Sequence, residues 1–295
     1  MRVAVFADIH GNLPAFEAAL ADLNAQAPDA VFLGGDQINR CPWNNEVMDL
    51  MLDLGWPAIQ GNHELVVGAI KTPENWWPFT ERHRFPILWW SQENLHPDYL
   101  PLIRTLPESL HIHFDGAPPI WLLHGLPGNP HMGFYPAMTD DDIRGELGGT
   151  DEQLIISSHT HRPLDRRVDG WRIVNPGSVG LPYNGDPRAQ YALLDLVAGP
   201  NGPAWQATFR QVAYDHSVIP SAYHASGLYA AGGPKSELAL CTLMSGHPWS
   251  SDFGVWMRHQ PLDAADDMGK AVADYLAVHG PDHWAFDQPD SLKMD

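Results

Sequence analysis

Apolar residues recur along the chain in two rhythms. Arg2–Asp8 (RVAVFAD), Asp29–Gly35 (DAVFLGG) and Pro57–Asn62 (PAIQGN) are short, β-leaning runs. Between them, Leu13–Asn24 places Leu13, Phe16, Ala19, Leu20 and Leu23 at helical spacing, and Asn45–Leu54 is a second amphipathic segment. A short apolar run reads as a buried strand, and a 3.6-residue rhythm as a helix with one apolar face. The first third is therefore expected to run β-α-β-α-β, giving a sheet covered by helices.

Glu64–Leu106 reads as mainly helical and carries Trp76, Trp77, Trp89 and Trp90. Strand-like runs return at His111–Phe114, Ile120–His124, Leu154–Ser157, Arg172–Val174, Gln190–Leu196 and Trp205–Ala213. The late ones are separated by turns, so that part of the sheet is expected to be antiparallel. After about Asp215 the pattern changes. Ser221–Pro234 is rich in small residues, Leu238–Met244 looks like a short strand, and Asp263–Val278 like a last helix. The expected organisation is a domain over 1–215 with a helical cap at 64–106, followed by an extension over 216–295.

The polar residues that interrupt these runs fall at strand ends. Asp8 and His10 follow the first strand, Asp36 the second, and Asn62 and His63 the third; His124 and the pair His159 and His161 follow two later ones. Open α/β sheets bind ligands at the carboxyl ends of their strands. Imidazoles and carboxylates are natural ligands of Mn, Fe, Zn, Co or Ni. Seven such groups are too many for one tetrahedral ion and suit two ions sharing a carboxylate.

Composition narrows the class. A net charge of −19 over 295 residues argues against a nucleic-acid coat or an anionic-membrane binder. Twelve Trp, 10 Phe and 8 Tyr argue against disorder. Two cysteines, Cys41 and Cys241, supply neither a disulfide framework nor a cysteine zinc site. No run reaches the ~18 apolar residues of a membrane span, and the chain passes from one Arg into a strand without a signal-peptide pattern. A cytoplasmic location is expected, and a homo-oligomer is left open.

The segments DIHGN (Asp8–Asn12), GD (Gly35-Asp36), GNHE (Gly61–Glu64), HG (His124-Gly125) and HTH (His159–His161) resemble, in order and spacing, the calcineurin-like metallophosphoesterases. GDQINRCPWNNEV, NPGSVG (Asn175–Gly180) and QYALLDL resemble the small prokaryotic phosphoesterase branch. The resemblance implies an α/β (α+β) four-layer sandwich of two facing mixed sheets flanked by helices. It implies a first ion on Asp8, His10, Asp36 and His161, and a second on Asp36, Asn62, His124 and His159. Asp36 would bridge, and His63 would contact the phosphoryl group and assist the leaving oxygen. Manganese is the first expectation, with Fe, Zn, Co or Ni as alternatives. The implied substrate is a small phosphate ester, first a nucleotide or organic phosphodiester attacked by water activated between the ions. Phosphomonoesters, phosphoproteins and dinucleoside polyphosphates are the alternatives, and a scaffold without catalysis is a further one. No long nucleic acid and no membrane is expected as a partner.

Some positions depart from the family pattern. Ser158 stands where Gly usually precedes H-x-H. Arg40 falls where protein phosphatases carry a phosphate-binding Arg, but the neighbouring Asp that orients their histidine is here Asn39. Arg40 is thus read as a substrate contact, with a surface cation as the plain alternative. Asn12 either enters the site or shapes its loop. The four tryptophans are read as cap core before base-stacking platform. His131 faces the substrate or decorates a loop, and Asp140–Asp142 is expected to open a helix.

Overall fold

The computed structural model describes residues 1–150, 152–199, 202–261 and 267–280. One sheet contains β1 (Arg2–Phe6), β2 (Ala30–Leu33), β8 (Ala189–Gly199) and β9 (Gly202–Val212), in the order β2-β1-β8-β9. The other contains β3 (Ser109–Ile112), β4 (Ile120–Leu123), β5 (Leu154–Ser157), β6 (Leu164–Val168) and β7 (Trp171–Asn175), in the order β3-β4-β5-β7-β6. Both are mixed: β1/β2, β4/β5 and β5/β7 are parallel, whereas β1/β8, β8/β9, β3/β4 and β6/β7 are antiparallel.

Period-2 alternation puts the two faces of each strand in different layers. Val3 and Val5 of β1 join Leu122, Ile156 and Val174 of the second sheet in one buried cluster between the sheets. Ala4 and Phe6 point the other way, onto α1 (Leu13–Gln26) and α2 (Asn44–Leu54). Leu123, Ile155 and Ile173 pack outward against Ile143 and Leu147 of α6 (Asp140–Leu147). The result is helix, sheet, sheet, helix. Thr139 caps α6 in a reciprocal pair with Asp142, so the acidic run does open a helix.

Several expectations need correction. Pro57–Asn62 is no full strand: it contributes a single bridge, Leu33 to Ala58, because Pro57 has no N–H and the chain enters α3 (Asn62–Ala69) at once. Leu238–Met244 lies inside α9 (Lys235–Ser245); its buried Leu238, Ala239, Thr242 and Leu243 follow helical period. The edge strand β6 was not expected, since LDRRV has little apolar content. Within 64–106, α3, α4 (Pro86–Asn94) and α5 (Tyr99–Thr105) are joined by turns over 71–85. Ser221–Pro234 falls largely in α7 (Val218–Ala225) and α8 (Leu228–Gly232). α10 (Trp249–Met257) and α11 (Met268–His279) follow, and residues 263–266 of the expected last helix lie outside the described residues.

The helices after β9 pack on the cap. Ile219, Tyr223, Leu228 and Leu243 share a cluster with Ile87 and Trp90 of α4 and with Cys41 and Leu181 beside the strand ends. Among the described residues, no helix is long and apolar enough to cross a membrane.

Candidate metal centre

The parallel strands β1, β2, β4 and β5 end at a common rim, and each releases its donors there. The backbone turns sharply to aim them. Asp8 and His10 have φ of 54°, Asp36 55°, His159 63° and His161 58°. Asn39 and Arg40, in the loop after Asp36, are left-handed as well, at 71° and 77°. Seven of the ten non-glycine residues with positive φ among those described therefore lie at this site. Each such turn costs a non-glycine residue roughly 1–2 kcal/mol and persists only where neighbours hold it. The holders are visible: Asp8 N donates to Gly35 O, His10 N to Asp36 O, and Gly180 N to Asp8 O. Asn175 Nδ2 donates to Ser158 O and Thr160 Oγ1, bracing the H-x-H loop. Asn175–Gly180 is thus a structural turn serving two donor loops.

The donors converge in two groups. Donor atoms of Asp8, His10, Asp36 and His161 all lie within 4.8 Å of one another, as do those of Asp36, His124 and His159. In the first group His10 Nε2 is 3.1 Å from His161 Nε2, and 3.7 Å from Asp36 Oδ2. In the second, Asn62 Oδ1 is 3.0 Å from His124 Nε2 and 2.9 Å from His159 Nδ1, with Asp36 Oδ2 3.3 Å from His124 Nε2. Ligands about 2.1 Å from an ion stand roughly 3.0–3.4 Å from each other. The buried Asp8 Oδ1 and Oδ2 and Asp36 Oδ2 have no hydrogen-bond donor. Buried carboxylate oxygens without a partner are costly unless a cation joins them, so the residues fit two divalent ions.

Backbone carbonyls set the imidazoles. His124 Nδ1 donates to Gly34 O at 2.9 Å and His161 Nδ1 to Leu181 O at 2.6 Å. A carbonyl only accepts, so Nε2 of each ring faces the cluster. Ser158 Oγ donates to the same Gly34 O, which accommodates the departure from Gly. Gly35 and Gly61 are required by close approach: a Cβ would stand 2.5 Å from His124 Nδ1 and 2.1 Å from Asp36 Oδ1, respectively. The Glu64 carboxylate accepts from the N–H groups of Asp36, Gln37, Ile38 and Gly61, tying the Asp36 loop to α3.

Charge is unevenly spread. Burial drives Asp8 well above the usual carboxylate range. Burial also acts on Asp36, but His124, His63 and His10 hold it well below. Burial lowers His10 and His161 far below the usual imidazole value, His63 to about 3 and His159 to about 4. Burial opposes a charge on His124, yet Asp36 and Asp8 raise it to about 10.

His63 stands beside the donors, Nε2 being 3.8 Å from Asp36 Oδ2. Its Nδ1 is 2.5 Å from Asn39 Nδ2, and Asn39 Oδ1 accepts from Ser91 Oγ of α4 at 2.8 Å. With the amide donating to Nδ1, the ring proton sits on Nε2, facing the site. A pocket of about 260 Å³ opens over the cluster, lined by Arg40, Asn62 and His63 and by Tyr135, Arg162, Tyr183, Pro248 and Ser251.

The last five lining residues, with Ser91, were not singled out in the sequence. Arg162 had one local signal, its place directly after HTH, and Ser251 had none. Asn12 caps α1 and bonds Gly180 O and Tyr214 Oη, so it shapes the loop. Trp90 is buried and Trp76 and Trp89 half-buried, while Trp77 is 70% exposed; none of the four lines the pocket among the described residues. His131 packs under the cap on Phe79 and Trp76. His83, His96, His111 and His113 are exposed.

Fold and donor set define a metal-dependent class, and comparison with known proteins specifies it. The family model described as "Calcineurin-like phosphoesterase superfamily domain" matches residues 1–199, and the chain belongs to that superfamily. An uncharacterized protein of Methanocaldococcus jannaschii is 27% identical over 211 residues, covering 65% of this chain and 82% of the relative. The crystal structure of a metallophosphoesterase from Sphaerobacter thermophilus matches with a TM-score of 0.65 and 26% identity, over 83% of this chain and 100% of that one. That of a hypothetical protein from Pyrococcus horikoshii matches with a TM-score of 0.69 and 23% identity, over 83% and 98%, and shares the fold.

Proposed function

We propose that this chain is a dinuclear phosphodiesterase acting on small nucleotide or other organic phosphodiesters. The observation that carries it is Asp36, common to two donor groups, with the His63 ring beside it. Asp8, His10, Asp36 and His161 would hold one divalent ion, and Asp36, Asn62, His124 and His159 the other. When bound, two such ions supply positive charge for phosphoryl oxygens and a water acidic enough to act as a nucleophile near neutral pH. Manganese suits the mixture of imidazoles, carboxylates and an amide oxygen.

The remaining work falls to the chain itself. Asn62 contributes an uncharged oxygen, so the site stays cationic toward a phosphate. His63 presents Nε2–H to the leaving oxygen as a hydrogen-bond donor, which stabilises the charge that develops there as the P–O bond breaks. Asn39 and Ser91 hold that ring in place. Arg40 offers a guanidinium to a non-bridging oxygen. Arg40 also favours the second reading, hydrolysis of dianionic phosphomonoesters. Assays of metal-reconstituted protein on a nitrophenyl diester and its monoester separate the two. A strong monoester preference overturns the diester reading, and no hydrolysis with Mn, Zn, Fe, Co or Ni overturns both. The acidic chain is expected to exclude long single-stranded DNA while admitting small esters.

A further inference from the structure

The pocket reaches beyond what phosphoryl transfer requires. Its lining joins Asp36, Asn62, His63, His159, His161 and Arg40 to Arg162, Tyr135, Tyr183 and, from the segment after β9, Pro248 and Ser251. These added residues are well anchored. Arg162 follows the donor His161 directly, Tyr183 stacks on the His161 ring at 4.3 Å, and Tyr183 N donates to His161 O. Tyr223 of α7 donates to Arg40 O, and Gly185 N donates to Gly246 O just before α10. The C-terminal helices therefore hold both the Arg40 loop and the pocket wall.

Arg162 is half-buried, and burial weakens its hydration. Asp252 of α10 acts on it electrostatically and also stands 2.6 Å from Nε2 of His247. A partly desolvated guanidinium recognises anionic oxygens with paired N–H groups, and the exposed Ser251 adds a hydroxyl donor to the lining. A volume of about 260 Å³ lies below the roughly 300 Å³ at which ordinary ligand pockets begin. That volume favours a compact substrate.

We infer that Arg162, with Ser251, forms a subsite for a second anionic group on one ester arm of the substrate. Given the phosphoesterase reading above, the preferred substrate class is a compact phosphate ester bearing an additional carboxylate or phosphate, rather than a dinucleotide. Calorimetry on the metal-loaded protein tests this with propylphosphonate, 3-phosphonopropionate and 1,3-propanediphosphonate. The added anion is expected to tighten binding at least tenfold over propylphosphonate, and the larger gain identifies it as carboxylate or phosphate. Arg162→Met should abolish the gain and leave propylphosphonate binding within twofold, and Arg162→Lys should restore part of it. No gain in the wild type, a gain that survives Arg162→Met, or equal weakening of all three ligands overturns the subsite. Binding is read without turnover, so a failure to hydrolyse any ester would remove the phosphoesterase reading while leaving this result interpretable.

Discussion

The two donor groups share Asp36 but differ in charge and exposure. The first combines two carboxylates with two imidazoles, all buried. The second has one carboxylate, an amide and two imidazoles, with Asn62 and His159 half-exposed beside the pocket. More negative charge in a drier place attracts a cation more strongly. The first group is thus expected to be the tighter cation site, and the second the weaker one. Its lower charge would leave an ion there more electrophilic.

The largest disruption should come from Asp36→Asn, which strips both groups of their common carboxylate. Both ions should be lost by elemental analysis, and turnover should fall at least roughly 10³-fold. Retention of one tight ion would break the shared role. His63→Ala should keep two ions per chain yet lower turnover roughly 10²–10³-fold, more for alkyl than for nitrophenyl leaving groups. A wild-type rate on the alkyl ester would remove His63 from stabilising the leaving group.

His159→Ala should weaken only the second ion, by about two orders of magnitude, leaving one tight ion in an equilibrium titration. If the first group empties instead, the comparison is reversed. The mildest effect concerns pH. His124 is raised to about 10, so near neutrality it is protonated before metal binds. An ion needs the neutral ring, and binding should release about one proton. Metal uptake by the metal-free protein should therefore strengthen as pH rises from 7 toward 10. Calorimetry in buffers of different ionisation enthalpy measures the release; a pH-independent affinity would contradict the charge on His124.

Much of this centre was legible because its donors sit where local patterns end. Asp8-x-His10 and His159-x-His161 stand out as polar pairs directly after apolar runs, and that needs no tertiary information. The strand expected at 57–62 failed because a buried apolar residue such as Ile59 is compatible with one bridge as well as with a ladder. The strand expected at 238–244 failed because a short apolar run fits both periods, and only packing against the α4 helix and α10 chooses between them. Edge strand β6 was hidden by its charged residues, of which Arg166 pairs with Asp140 of α6 and Arg167 is exposed.

The chain's residues by themselves determined the donor types, their order and their attachment to strand ends, since strand periodicity and the chemistry of Asp, Asn and His are local properties. Only the tertiary structure decided that the donors share one point. That convergence depends on left-handed turns held by distant hydrogen bonds, such as Gly180 N to Asp8 O, and on Gly34 O orienting His124 from another sheet. It also decided that Ser91 supports Asn39 beside His63 and that Ser251 reaches the pocket. These contacts join segments far apart in sequence, so no local pattern carries them.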